Sequence, residues 1–448
     1  MQFKIAKNIR LTPVRVLAIG FAAAIFIGAI LLSLPISSID GKTTSFIDSL
    51  FTATSAVCVT GLVVLDTGTH WNYFGKTVVL LLIEIGGLGF MSFATLIALI
   101  LGKKITLRER LVMHEAMNSF NLQGLVKMVR YILTFTFSVQ LIGAMILSTQ
   151  FIPIYGLGKG IYYGIFHSVS AFCNAGFDLI GNFGSLTSFA KNPVIILTIA
   201  TLIIIGGLGF AVWAEIYSYR GIKKLSLHTK LVIVTTAALL IIGWVLMLLF
   251  EINNPATLGS MNFKGKLANS LFASVTPRTA GFNSISTSDM TTPGRFLTMI
   301  LMFIGGSSGS TAGGIKVTTF SIIILTVIAI IKGKDDTEVF QRRLSNDLVR
   351  RSFAITTLAF ILIIIVTMLL SISEVGASLE YVFYEAISAF GTVGLSLGLT
   401  TELSFIGKII ISFTMYCGRL GPLTLALALA KIKINNKIRY PEDKVLVG

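Results

Sequence analysis

Charge is scarce in this chain: of 448 residues 12% are Asp, Glu, Lys or Arg against 54% hydrophobic, and mean hydropathy is +0.86. Soluble proteins carry about 25% charged residues, so a water-soluble globular domain is excluded. Cysteine is rare too. Cys58, Cys173 and Cys417 are an odd set without a C-x-x-C pair, which supports neither a disulfide framework nor a zinc site. The four histidines (His70, His114, His167 and His228) are scattered, and there is no His/Asp/Glu constellation of the kind an embedded enzyme needs, so no enzyme is expected. No G-x-G-x-x-G follows a strand pattern, so the chain is expected to bind no nucleotide or other cofactor itself. Acidic residues number 20 against 36 basic, a net charge of +16. Such a balance can signal nucleic acid, but with so few charges their positions carry the information.

What is present is apolar length. Crossing roughly 30 Å of hydrocarbon takes about 20 apolar residues in a helix, and eight segments qualify: 14–34, 73–101, 131–152, 194–217, 230–250, 296–331, 352–372 and 404–430. The first is too long for a signal-peptide core and has no small-residue cleavage site, so it reads as a retained span. Between the members of each successive pair lies a shorter, half-polar piece, at 45–58, 160–173, 265–277 and 379–390. These are too short to cross and suit re-entrant segments. The expected fold is an all-α membrane protein of eight transmembrane helices and four re-entrant half-helices.

Basic residues mark the cytoplasmic side of membrane proteins. They gather in the N-terminal leader (Lys4, Lys7, Arg10, Arg15), before spans three, five and seven, and in the 431–448 tail, together 25 of the 36. All five segments fall on one side of an eight-span chain. Both termini are therefore expected in the cytoplasm of a multi-pass cell-membrane protein, with the half-helices entering from outside and no nucleic-acid partner.

The half-helices repeat. They end as TSAVCVTGL (54–62), VSAFCNAGF (169–177), VTPRTAGFN (275–283) and ISAFGTVGL (387–395), with glycines at Gly61, Gly176, Gly281 and Gly394. Ten positions earlier stand Phe51, Phe166, Leu271 and Tyr384. A second motif follows inside the next span: GGLGF at 86–90 and 206–210, GGSSG at 305–309, GRLGP at 418–422. The chain thus divides into repeats at 14–101, 125–217, 229–331 and 352–430, each span, half-span, glycine turn, span.

Irregular backbone at membrane depth is tolerated only where protein buries it or it lines a watery cavity. Four turns around one axis would point four negative helix C-termini inward and present carbonyl oxygens in place of an ion's water. Glycine supplies the φ > 0 angles and close approach such turns need. With no carboxylate in the turns, the coordinated ion is expected to be monovalent and weakly hydrated, such as K⁺.

Four such repeats with single glycines in the turns resemble the Trk/Ktr/HKT superfamily of potassium transporters, and most of all the KtrB-type membrane subunit of bacterial Ktr systems. The resemblance covers nearly the whole chain. It implies a K⁺ filter formed by Val59, Thr60, Gly61, Asn174, Ala175, Gly176, Thr279, Ala280, Gly281, Thr392, Val393 and Gly394. Glycine rather than serine at position 61 implies K⁺ over Na⁺. It also implies a homodimer and a cytosolic RCK-type regulatory ring, KtrA-like, which would carry the nucleotide (ATP or ADP). The basic loops at 103–130 and 332–351 offer that ring a docking place, and the C-terminal KVLVG is expected to pack on a second copy.

The third repeat departs from the others. IGGSSGSTAGGIK (304–316) holds Gly305, Gly306, Ser307, Ser308, Gly309, Ser310, Thr311, Ala312, Gly313, Gly314 and Lys316. Each glycine costs about 1 kcal/mol in a helix interior, so span six is expected to break at mid-membrane into a loop, which the resemblance implies is an intramembrane gate. Lys316 is expected to anchor it toward cytoplasmic water. Arg419, in CGRLGP, sits alone halfway along span eight, where a charge costs at least about 2.5–3.5 kcal/mol. Facing a cavity, or pairing with Glu84 or Glu385, are the two ways to offset that cost; the resemblance places it beside the gate. Arg278 is expected to brace the third turn, and Asp178 to draw cations toward Gly176. The expected function is channel-like potassium uptake. A K⁺/Na⁺ or K⁺/H⁺ symporter is the alternative, although proton coupling commonly uses intramembrane carboxylate or histidine relays and this chain has few.

Overall fold

The computed structural model describes residues 12–89, 125–217, 219 and 225–424. The N-terminal leader before residue 12, most of the 103–130 loop and the 431–448 tail lie outside the described residues. The helices among the described residues are α1 (Pro13–Ser33), α2 (Phe46–Val57), α3 (Tyr73–Leu88), α4 (Leu125–Tyr155), α5 (Leu157–Phe172), α6 (Pro193–Leu208), α7 (Phe210–Tyr217) and α8 (Leu227–Glu251). They continue with α9 (Phe263–Val275), α10 (Thr292–Phe303), α11 (Val317–Ile331), α12 (Asn346–Ser373), α13 (Leu379–Gly391), α14 (Leu399–Glu402) and α15 (Phe405–Leu420). A hairpin of β1 (Glu338–Val339) and β2 (Arg342–Arg343) joins α11 to α12.

Helices α1, α4, α8 and α12, of 21, 31, 25 and 28 residues, are long and apolar enough to cross a membrane. At about 1.5 Å per residue each reaches or exceeds the hydrocarbon thickness. Their outer faces carry exposed side chains such as Phe26, Leu141, Ile242 and Ile364. Four shorter helices, α2, α5, α9 and α13, occupy the positions expected for half-helices. The ten-before-glycine positions Phe51, Phe166 and Tyr384 are fully buried, and Leu271 is half-buried.

The remaining helices differ from expectation. Spans 73–101, 194–217 and 404–430 were expected to run unbroken; instead α3, α6 and α15 stop after 16 residues each. The break has one geometry in all three: Gly89 at φ 81, ψ 138, Gly209 at φ 96, ψ 141 and Gly421 at φ 86, ψ 137. These angles are open to glycine and strained for other residues, and they turn the chain out of the helix. After Gly209 the chain restarts as α7 at 93° to α6. In the third repeat the break falls, as expected, across 304–316, between α10 and α11.

The helices close into a ring. α3 packs on α5, α6 on α9, α10 on α13 and α15 on α2, so each repeat leans its second helix on the half-helix of the next. Ion pairs fasten two of these junctions, Arg295–Glu380 at 3.1 Å and Lys408–Asp48 at 2.7 Å. Within each repeat, the residue capping the second helix bonds the end of the first. Asn72 Nδ2 donates to Ile36 O (2.6 Å), Asn192 Nδ2 to Gln150 Oε1 (3.0 Å), Thr291 Oγ1 to Glu251 Oε1 (2.7 Å) and Ser404 Oγ to Glu374 Oε1 (2.7 Å). Each cap satisfies free helix N–H groups while fixing the angle between two helices.

Candidate functional site: a ring of four glycines and the loop beside it

The half-helices α2, α5, α9 and α13 all run out at one place, three to six residues before Gly61, Gly176, Gly281 and Gly394. In every repeat the backbone then alternates in the same way. Val59, Asn174, Thr279 and Thr392 adopt φ of 57°, 60°, 69° and 49°, and after one intervening residue the glycines stand at 91°, 70°, 76° and 92°. Left-handed and ordinary backbone thus alternate through each turn.

The four turns meet in cyclic order. A Cβ built on Gly61 would lie 2.5 Å from Ala175 O, and one on Gly176 2.7 Å from Ala280 O; on Gly281 it would strike Val393 O, and on Gly394 Thr60 O. The circuit runs first repeat to second, third, fourth and back to first. Only glycine fits at these four positions, for conformation and for space.

Hydroxyls lock each turn. Gly61 N donates to Ser55 Oγ (3.0 Å) and Gly394 N to Ser388 Oγ (3.2 Å), while Ser170 Oγ donates to Phe177 O (2.7 Å) and Thr276 Oγ1 to Phe282 O (2.6 Å). Sequence reasoning missed these four residues. The signal was present, since a Ser stands six residues before the glycine in three repeats.

Two cavities flank the ring without sharing a residue. The first, about 370 Å³, is lined by all four glycines and by Asp66, Asp178 and a set of Ser and Thr residues. Asp66 accepts from Thr69 N (2.9 Å) and Phe183 N (2.6 Å), Asp178 from Ile180 N (2.9 Å). Loss of water around Asp178 pushes its carboxyl up to about 6, against the N–H groups of Ile180 and Gly181 that favour its charge. The second cavity, about 350 Å³, is lined by Ser308, Gly309, Ser310, Ala312, Gly314, Lys316 and Arg419, together with the bend residues Gly89 and Gly421.

The 304–316 loop touches the second and fourth turns and lines the second cavity. Gly305 N donates to Ile315 O (2.8 Å) and Val317 N to Gly306 O (2.9 Å), closing its neck. Ser307 N donates to Gly207 O (2.9 Å) and Phe210 N to Gly309 O (2.9 Å), tying it to the α6–α7 bend. Thr311 Oγ1 donates to Asn174 Oδ1 (3.2 Å) and Phe172 O (3.3 Å), next to the second glycine turn. Gly313 and Gly314 pack on Thr392 and Gly391 of the fourth turn so closely that a Cβ at either would meet them.

Arg419, half-buried, donates Nη1 to Thr311 O and Nη2 to Gly86 O. It pairs with neither Glu84 nor Glu385: Glu84 accepts from Gln140 Nε2 (2.9 Å) and Cys173 Sγ (3.4 Å), and Glu385 from Ser396 Oγ (2.8 Å) and Thr400 Oγ1. Lys316 is half-buried and lines the second cavity. Its Nζ donates back to Ala312 O (2.6 Å) and Gly313 O (3.4 Å). Two cations thus cap three consecutive carbonyls of the loop. Arg278 is buried with its Nε unpartnered; its own carbonyl accepts from Asn174 Nδ2 (3.4 Å), which links the second and third turns through backbone.

Comparison with known proteins identifies the relatives of this architecture. The family model described as "TrkH: Cation transport protein" matches residues 18–439. The chain is 46% identical to the potassium/sodium uptake protein NtpJ of Enterococcus hirae over 445 residues, 98% of each chain. It is also 46% identical to the Ktr system potassium uptake protein B of Bacillus subtilis, over 99% of each. Among solved structures, the potassium transporter TrkH from Vibrio parahaemolyticus superposes with a TM-score of 0.73 over 96% of this chain and 87% of that one at 18% identity, which speaks to the fold. The chain belongs to the TrkH family of cation transport proteins and is a multi-pass membrane protein.

Proposed function

We propose, with membership of the TrkH family as the premise, that this chain takes up potassium through a channel-like pore on the axis of the glycine ring. The observation that carries the reading is the cyclic meeting of four glycine turns at four helix C-termini. Carbonyls of Val59, Thr60 and Gly61 and their counterparts in the other repeats replace the water of a K⁺ ion, and the helix dipoles favour a cation over an anion. The ring is then a selectivity filter. Four long spans, four broken spans and four re-entrant half-helices make one pseudo-fourfold pore. The 370 Å³ cavity with Asp66 and Asp178 is its outer vestibule.

The 304–316 loop is the gate. It occupies the path between the ring and the second cavity, and Lys316 and Arg419 set positive charge against a cation there. Its tethers to the rest of the chain are mostly hydrogen bonds, which water can replace when it moves as a unit. A cytosolic RCK-type ring that binds ATP or ADP, on the face marked by the basic loops, supplies the free energy to move it, and the pore works as a homodimer. The name of the Bacillus subtilis relative, a Ktr system protein B, favours a multi-subunit system of this kind.

The test is ⁸⁶Rb⁺ flux into liposomes holding the chain alone and then with its cytosolic partner, with Na⁺, Li⁺ and Cs⁺ as competitors. A channel gives dissipative flux that K⁺ and Rb⁺ share and Na⁺ and Li⁺ do not block. Accumulation of K⁺ against its gradient, driven solely by a pH or Na⁺ gradient, would overturn the reading in favour of a symporter.

A further inference from the structure

The four half-helices carry different residues at the position nine before the ring glycine: Thr52, His167, Phe272 and Glu385, all fully buried. Thr52 Oγ1 donates within its own helix to Asp48 O (2.8 Å), and Phe272 has no polar atom to offer. The other two reach out of their helices to the chain leaving the ring. His167 Nδ1 lies 2.8 Å from Tyr163 O, an acceptor, so Nδ1 carries the proton and Nε2 accepts from Leu179 N at 3.4 Å. Glu385 takes Ser396 Oγ on one oxygen (2.8 Å) and Thr400 Oγ1 on the other. Leu179 stands three residues after Gly176, and Ser396 and Thr400 two and six after Gly394. Ser396 and Thr400 line the first cavity.

By the cyclic order of the ring the second and fourth repeats face one another across its axis. The segments leaving Gly176 and Gly394 are therefore each tied to their own half-helix by the side chain at this position; Thr52 and Phe272 make no such tie, and the chain after Gly281 is held to its half-helix at the turn, where Thr276 Oγ1 donates to Phe282 O. His167 is held further by rings on both sides, Phe151 at 5.2 Å and Phe282 of the third repeat at 6.5 Å.

We infer that His167 and Glu385 are positioning residues for ion discrimination, which fix the outer mouth of the glycine ring across one diagonal. The inference rests on the reading of that ring as the ion path. A smaller cation is better bound when opposed oxygens can close on it. Bracing one opposed pair denies that closure even if the other pair is free, because the diameter along the braced diagonal stays set for the larger ion.

The experiment is ⁸⁶Rb⁺ uptake by the full chain in liposomes under Na⁺ competition. His167→Phe, which gives the second repeat the residue of the third, and Glu385→Gln are expected to raise the apparent KM and make Na⁺ a better competitor by about tenfold, with a smaller change in maximal rate. His167→Gln, whose amide oxygen can accept from Leu179 N, recovers most of the loss, and Thr52→Val changes nothing. Ser396→Ala with Thr400→Val cuts the same tether from its other end, so it must reproduce Glu385→Gln and add nothing in combination with it. Unchanged Na⁺ competition, no advantage of Gln over Phe at 167, or additive effects in that combination would each overturn the inference. Gly176→Ala separates the two levels: if it too leaves Na⁺ competition unchanged, the ring reading itself fails, and if it alters competition while the tether variants do not, only the tether fails.

Discussion

Three repeats end their second helix in one way and the third in another. In the first, second and fourth, Gly86, Gly206 and Gly418 sit against the last carbonyls of their own half-helix, those of Val57, Phe172 and Phe390, and the chain turns three residues later at Gly89, Gly209 and Gly421. In the third, Gly305 meets Gly313 O of its own loop instead, and thirteen residues stand between its two helices where the second repeat spends one glycine. The ring needs all four turns alike, since each glycine packs on the next repeat. The far side of the ring needs no such symmetry. One repeat can thus depart from the others on that side without disturbing the ring.

The largest effect should come from breaking the shared part. Gly394→Val places side-chain atoms against Thr60 O and Gly61 Cα at φ 92° and should abolish K⁺ uptake, at least about 100-fold, because left-handed strain of about 1–2 kcal/mol adds to a backbone clash. Gly421→Val has a similar φ of 86°, but among the described residues the nearest atom to a new Cβ is Thr424 Oγ1 at 3.7 Å, and it should cost only severalfold. Complementation of a K⁺-uptake-deficient strain, with membrane levels checked, separates them. Equal loss in both would mean that helix breaking, and not ring closure, is what matters.

Removing the divergent part should do the opposite. Deletion of 306–313 is expected to raise regulator-free ⁸⁶Rb⁺ flux about tenfold or more, since the segment's polar tethers, each worth about 0.5–1.5 kcal/mol, are what hold it in the path. Flux falling to zero in a folded protein would show that the loop supports the pore and does not close it. Arg419→Gln is the gentler version. It cuts the bonds to Thr311 O and Gly86 O that join loop to first repeat, and should raise basal flux roughly fivefold, or about 1 kcal/mol, one typical net hydrogen bond, since the amide of Gln keeps a donor. Gly61→Ser tests the ring from within: with φ at 91° and Ala175 O at 2.5 Å from a new Cβ, the turn must rearrange, and Na⁺ should begin to compete a fewfold better in Rb⁺ uptake.

The contrast between repeats was readable in the sequence where it is written in residue type. Four glycines at near-constant spacing, the apolar positions ten before them and the run of glycine and serine at 304–316 locate the ring and the loop without coordinates. The bends at Gly89, Gly209 and Gly421 were not readable, because GGLG inside an apolar run is compatible with a close-packed helix, and an apolar run reports burial regardless of whether the helix continues. The partners of Lys316 do not show in the sequence either: its ammonium bonds carbonyls three and four residues back. The partners of His167 and Glu385 lie in the segment beyond the turn, and sequence spacing does not say which buried polar group meets which.

The smallest predicted effect sharpens the comparison at the end of the molecule where the repeats agree. Each ties the cap of its second helix to the end of its first, but through different chemistry. Glu251 accepts from Thr291 N and Oγ1, Thr257 Oγ1 and Asn254 Nδ2 at 2.7–2.8 Å, Glu374 from Ser404 N and Oγ, whereas the second repeat uses neutral Gln150 with Asn192. Glu251→Gln makes the third clamp resemble the second. It removes one of two acceptors from a fully buried group with four donors, so about 1–3 kcal/mol of local stability should go, read as a lower thermal midpoint in detergent. Because the clamp lies at the helix ends and the gate hangs from the broken middle of the same repeat, Na⁺ competition and basal flux should hold near their starting values. If they shift with stability, the scaffold and the gate of the third repeat are one mechanical unit, and the division drawn between shared frame and divergent loop does not hold there.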